Sequence, residues 1–121
     1  MNSKSLKSAL LSALLMLGWP VVGLAHVHLE KSEPAKGATL DASPERVQLW
    51  FSGKVAGEWS QIEVTDAGGQ RVDDGEVRDE GDPKRLSVGL RPLTAGTYEV
   101  KLNVVSGDGH RVKGSFSFSV K

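Results

Sequence analysis

Residues able to bind metal or move protons are few in this chain, and the most suggestive of them fall at opposite ends of one small domain. Near the C-terminus, Val104-Val105-Ser106-Gly107-Asp108-Gly109-His110-Arg111-Val112 sets a carboxylate and an imidazole two residues apart among glycines. Apolar-alternating runs flank the stretch on both sides, so it reads as a loop between two strands. A pair so spaced can offer one point in space an oxygen and a nitrogen donor. The other histidines are His26 and His28, and the chain contains no cysteine.

His26 gains its interest from what precedes it. Lys4 and Lys7 lie ahead of an apolar run, 9–17, broken only by Ser12, and Gly23 and Ala25 put small residues at a cleavage site. The run is too short for a bilayer span of about 20 residues. We therefore expect residues 1–25 to be an export signal cleaved after Ala25. Cleavage would make His26 the first residue, with a free α-amine beside its imidazole.

The remaining chain, 26–121, would be one small domain of 96 residues. Removing Lys4 and Lys7 leaves 13 basic against 15 acidic residues, a formal charge of −2. No basic face points to nucleic acid. Both methionines, Met1 and Met16, lie in the signal, so the mature chain holds no sulfur. That excludes thiolate zinc sites, iron–sulfur clusters and thioether Cu(I) sites built from this chain alone. Without disulfides, its stability must come from packing.

The elements that must position these residues read as strands. A first strand is expected over 26–33, with Val27 and Leu29 on one face and His26, His28 and Glu30 on the other. Val47-Gln48-Leu49-Trp50-Phe51 is a strong β run that Ser52-Gly53-Lys54 ends. Trp59 to Thr65 alternates, Asp66-Ala67-Gly68-Gly69 turns, and 71–77 gives a weaker strand. The stretch 78–84 is a charged surface loop, and Leu86, Val88 and Leu90 mark a short strand. Tyr98, Val100, Leu102 and Val104 share one face; Val112, Gly114, Phe116, Phe118 and Val120 share another.

No helical period appears in 26–121. About seven short strands with Gly and Pro turns predict an all-β, two-sheet antiparallel sandwich of Greek-key type. Trp50, Phe51, Trp59, Tyr98, Phe116 and Phe118 are expected in or near its core.

Taken singly, His110 is an ordinary edge residue, and Asp108 between glycines is a turn-former. Together with a processed His26 they become a chelate: α-amine and imidazole from His26, then His110 and Asp108, a roughly square-planar nitrogen and oxygen set. Cu(II) prefers that set and tops the divalent affinity order. The arrangement requires the first and last strands to be neighbours. His28 opens a rival, since a free amine with histidine third in the chain can bind Cu(II) through amine, two deprotonated amides and imidazole. We expect His28 in an auxiliary or supporting role instead, because strand pairing would occupy those amides.

The pattern His26-x-His28, Ser32-x-Pro34-Ala35-x-Gly37, Phe51-Ser52, Gly96-x-Tyr98-x-Val100 and Val105-Ser106-x-Asp108-Gly109-His110-x-Val112-x-Gly114-x-Phe116-x-Phe118-x-Val120 resembles the CopC family of periplasmic copper-binding proteins. The likeness runs over nearly all of 26–121. It implies an immunoglobulin-like or cupredoxin-like β-sandwich binding Cu(II) through an N-terminal histidine brace at His26 with Asp108 and His110. It further implies a role in copper resistance or homeostasis, often beside a CopD-type inner-membrane protein. The methionine-rich Cu(I) site of some members has no counterpart here. Gly53 stands where many relatives carry an acidic residue, and Leu102 where tryptophan is common.

These residues predict a monomeric, non-enzymatic periplasmic Cu(II) carrier or buffer. Two alternatives differ in class. A copper-dependent oxidative enzyme could use the same brace, although Asp108 would occupy the position that oxygen needs; a sandwich module binding a protein partner would need no metal.

Overall fold

The computed structural model describes residues 26–121, so the expected signal, 1–25, lies outside the described residues. Eight strands form: β1 (Leu29–Glu33), β2 (Thr39–Leu40), β3 (Arg46–Phe51), β4 (Val55–Thr65), β5 (Asp73–Arg78), β6 (Arg85–Leu90), β7 (Gly96–Ser106) and β8 (Arg111–Val120). They make two four-stranded sheets, ordered β1-β3-β6-β5 and β2-β8-β7-β4. Every strand pairing is antiparallel except β2 with β8. The all-β sandwich is therefore as expected, with the two-residue β2 as the strand beyond seven.

Alternation explains the core. Val47, Leu49 and Phe51 of β3 and Leu86 and Val88 of β6 are buried from one sheet. Ile62 and Val64 of β4, Tyr98, Val100, Leu102 and Val104 of β7, and Phe116, Phe118 and Val120 of β8 are buried from the other. Each full burial of such a side chain contributes about 1.5–3 kcal/mol. Tyr98 stacks on Phe118 at 5.6 Å between centroids, and its hydroxyl donates to the Thr94 carbonyl at 2.6 Å, so the phenol is buried at no polar cost. Truncating Phe118 to alanine would cost about 3–5 kcal/mol.

Four expectations need correction. Trp59 is 67% exposed, not a core residue. The pairing of β4 with β7 shifts between Ala56 and Gln61, and there the Ser60 hydroxyl donates to the Ala56 carbonyl at 2.7 Å and accepts from the Val105 amide at 2.9 Å. Counting back from the buried Val64, Ile62 and Ser60 puts Trp59 with Gln61 and Glu63 on the outer face, so its place follows the two-residue period and the core expectation rested on its aromatic ring alone. Trp50 likewise lies only partly buried, with the Lys31 ammonium 4.7 Å and the Arg85 guanidinium 5.0 Å from its ring.

The first strand begins at Leu29, leaving His26, Val27 and His28 outside it. Nor is it hydrogen-bonded to the last strand: β1 pairs with β3 in one sheet and β8 belongs to the other. The segment 26–28 and the loop between β7 and β8 meet through the His26 and His110 rings rather than along a ladder.

Candidate metal centre

The β7–β8 pairing runs from Gly96 opposite Val120 to Val105 opposite Arg111, ten residue pairs without a break. This long ladder delivers the loop Gly107–His110 at one end of the sandwich. The loop is closed by the Ser106 amide donating to the His110 carbonyl at 2.8 Å and the Gly109 amide donating to the Ser106 carbonyl at 2.9 Å. Gly109 has φ +89°, a left-handed conformation that favours glycine. A tie from the Gly107 amide to the Lys54 carbonyl, 2.8 Å, holds the loop to the start of β4.

Ser106 organises the two chemical side chains. It is buried, its hydroxyl donates to Asp108 Oδ1, and it accepts from the His110 amide at 3.2 Å. The other Asp108 oxygen, Oδ2, lies 3.1 Å from His110 Nδ1. The hydroxyl, then the imidazole and the backbone amide, hold the Asp108 carboxyl down at about 2. Asp108 is thus an anion at any physiological pH. Both side chains are nonetheless open to solvent, 63% exposed for Asp108 and 64% for His110.

From the far end of the chain, the His26 ring approaches the His110 ring edge-on, with 5.4 Å between centroids and 72° between planes. Two contacts with the turn after β3 steer it there. The His28 amide donates to Ser52 Oγ at 3.0 Å, and the Ser52 amide donates to the His28 carbonyl at 2.9 Å. Val27 packs over Gly53 so closely that a Cβ at position 53 would lie 2.9 Å from its Cγ2. A side chain there would require the Val27 side chain to shift.

Of the four residues singled out from sequence, His26, Asp108 and His110 come together. His28 is exposed, and its ring makes no aromatic or ion-pair contact with the other three among the described residues. Among the described residues no three His, Cys, Asp or Glu side chains converge as a ready metal cage. The reason is visible in Asp108, whose two oxygens are folded onto Ser106 and His110. A chelate here would need a further donor besides these three side chains.

Ser52 and Ser106 are the residues that sequence reasoning missed. Both stand beside glycines and pass for turn spacers. The available signal was the spacing Ser-x-Asp-x-His, in which a serine hydroxyl two residues before an aspartate can bond it.

Comparisons with known proteins bear on the family and the fold. Residues 29–121 match the CopC domain family, so the match begins just after His28. Protein YobA of Escherichia coli K12 is 38% identical over 122 residues, covering 99% of this chain and 98% of the relative. Among solved structures, CopC from Methylosinus trichosporium OB3b superposes with a TM-score of 0.75 at 34% identity, covering 79% of this chain and 94% of that one. PcoC of Escherichia coli, described as a methionine-rich copper resistance protein, gives a TM-score of 0.71 at 34% identity, covering 80% and 100%. The β-sandwich that presents a histidine and an aspartate from its last hairpin to the N-terminal segment is thus a member of the CopC family.

Proposed function

We propose that this domain is a periplasmic Cu(II) carrier or buffer serving copper resistance, not an enzyme. In this reading processing after Ala25 frees the His26 amine, and one Cu(II) ion is the cargo. Its donors would be the His26 amine, the His26 imidazole and the His110 imidazole, with Asp108 completing the set. The observation that carries the reading is the approach of the His26 and His110 rings, 5.4 Å apart, beside an ionised Asp108.

The donor set suits Cu(II), being nitrogen and oxygen only, whereas Cu(I) favours sulfur. A chain that keeps no methionine after residue 25 differs in this from the methionine-rich PcoC, so a single Cu(II) site is the expected inventory. Asp108 has two ways to contribute. It can leave His110 and bind the metal through Oδ2, or stay on Nδ1 and present Nε2 to the metal, fixing the ring and raising its basicity. A CopD-type inner-membrane protein is the partner we expect to exchange copper with it.

The reading is tested by Cu(II) titration of three forms: processed protein starting at His26, protein with one extra residue before His26, and processed His110→Ala. The processed protein should bind one Cu(II). Each alteration should weaken binding by about 100- to 1000-fold, one donor's share of a four-donor site whose total runs to about 10–16 kcal/mol. Unchanged binding in both altered forms would refute the brace; oxygen-dependent oxidation of an added sugar would favour the enzyme.

A further inference from the structure

A chain beginning His-Val-His has two ways to hold Cu(II). In the brace, only the terminal amine and side chains bind. In the local chelate, the terminal amine, the Val27 and His28 amide nitrogens and the His28 imidazole surround the metal, and each amide must release its proton to solvent. The second mode needs no fold, because all of its donors lie within three residues. Something in the folded chain must tip the choice.

Resting on the brace reading above, we infer that Ser52 is a positioning residue that selects the brace by withholding the His28 amide from copper. Ser52 Oγ accepts the His28 N–H at 3.0 Å, which engages the nitrogen that the local chelate must deprotonate. In return the Ser52 amide bonds the His28 carbonyl at 2.9 Å, which fixes the peptide plane on both sides of that residue. The Val27 amide meets no acceptor among the described residues, so the choice rests on His28. Val27 packs against Gly53, where an added Cβ would lie 2.9 Å from its Cγ2, a further contact between this segment and the turn. The local chelate has to wrap the same three residues around one ion.

The selector has a defined strength. A hydrogen bond of this type shifts an equilibrium by a few-fold to about tenfold. Removing the hydroxyl should therefore raise the four-nitrogen population by that factor, while the backbone bond from the Ser52 amide to the His28 carbonyl still ties the segment to the turn.

The experiment loads processed protein with Cu(II) and, separately, with Ni(II), and reads visible absorption and EPR. Deprotonated amides exert a strong ligand field, so the local chelate moves the Cu(II) band to shorter wavelength and turns Ni(II) yellow and diamagnetic. Native protein should show the brace spectrum and no yellow nickel form. Ser52→Ala should show the four-nitrogen species increased by a few-fold to about tenfold, Ser52→Thr should restore the native spectrum, and Ser52→Ala with His28→Ala should abolish the new species. Should Ser52→Ala prove too loosely folded to load, the native protein still decides through nickel. A yellow complex there means that the His28 amide is not withheld.

A Ser52→Ala spectrum identical to native, with His110→Ala still weakening copper, would overturn the role of Ser52 and leave the brace standing. A native protein already in the four-nitrogen form and indifferent to His110→Ala would overturn both.

Discussion

Two aspartates sit against opposite ends of β4, and they put the same side chain to different uses. Asp73 is 0% exposed at its side chain, and every lone-pair direction is spent. It takes the Val64 amide at 2.8 Å, the Gly75 amide at 2.9 Å and a two-pronged Arg71 guanidinium at 2.8 and 3.2 Å. Because Val64 belongs to β4 and Asp73 to β5, this clasp ties one sheet to the other. Asp108, at the loop fastened to Lys54 just before β4, is 63% exposed and held by a hydroxyl, an imidazole and one amide. A buried and saturated carboxylate can only hold the fold, whereas an exposed and preorganised one can exchange a partner for a metal ion at small cost.

Substituting each aspartate in turn tests this contrast most strongly. Asp73→Ala leaves the Val64 amide buried without its acceptor and should cost about 3 kcal/mol, the low end for breaking a buried pair because Arg71 keeps access to water. That corresponds to a fall in Tm of more than about 10 °C for a domain of this size. Asp108→Asn should change stability by less than about 0.5 kcal/mol, as exposed substitutions do. Its effect should appear in Cu(II) affinity instead, a loss of about 10- to 100-fold by competition titration. If Asp108→Asn destabilises the apo domain as much as Asp73→Ala does, the contrast collapses.

Acid sharpens the comparison with a smaller effect. Burial alone would raise the Asp73 carboxyl, but the Arg71 bonds and the Val64 and Gly75 amides outweigh it and leave the value below the ordinary 3.8. A carboxyl whose folded value is depressed stabilises the fold above 3.8 and loses that contribution as pH falls through the lower folded value. Denaturation free energy should therefore decline as pH drops below about 4, with at most about 1.4 kcal/mol per pH unit from this one group. In Asp73→Asn that component of the slope should vanish. Copper release on acidification is a separate event, because the amine and imidazole nitrogens must be unprotonated to bind.

How much of this was legible in the sequence follows from which interactions are periodic. Tyr98 to Val104 and Phe116 to Val120 alternate cleanly, so the hairpin that carries Asp108 and His110 could be read directly. The two-residue β2 has no period to detect, whereas the alternation of Trp59 with Ser60, Ile62 and Val64 did put Trp59 on the outer face, and only its aromatic character argued for the core. His26 to His28 alternates like a strand, yet it is held by a side chain, Ser52 Oγ, and alternation is blind to side-chain acceptors. The meeting of His26 with His110 was anticipated for the wrong reason. Adjacent strands were expected, but the two ends approach from different sheets. Asp73 lies in a stretch so polar that nothing marked it as buried; only the fold brings Val64 and Arg71 around it.

The central claim is that one Cu(II) ion draws imidazoles from both ends of the chain. Pulsed EPR of the processed, copper-loaded protein counts equatorial imidazoles through their remote nitrogens. Two should be seen, from His26 and His110, falling to one in His110→Ala and remaining two in His28→Ala. A single imidazole in the native protein, unaffected by His110→Ala and lost in His28→Ala, would contradict the account.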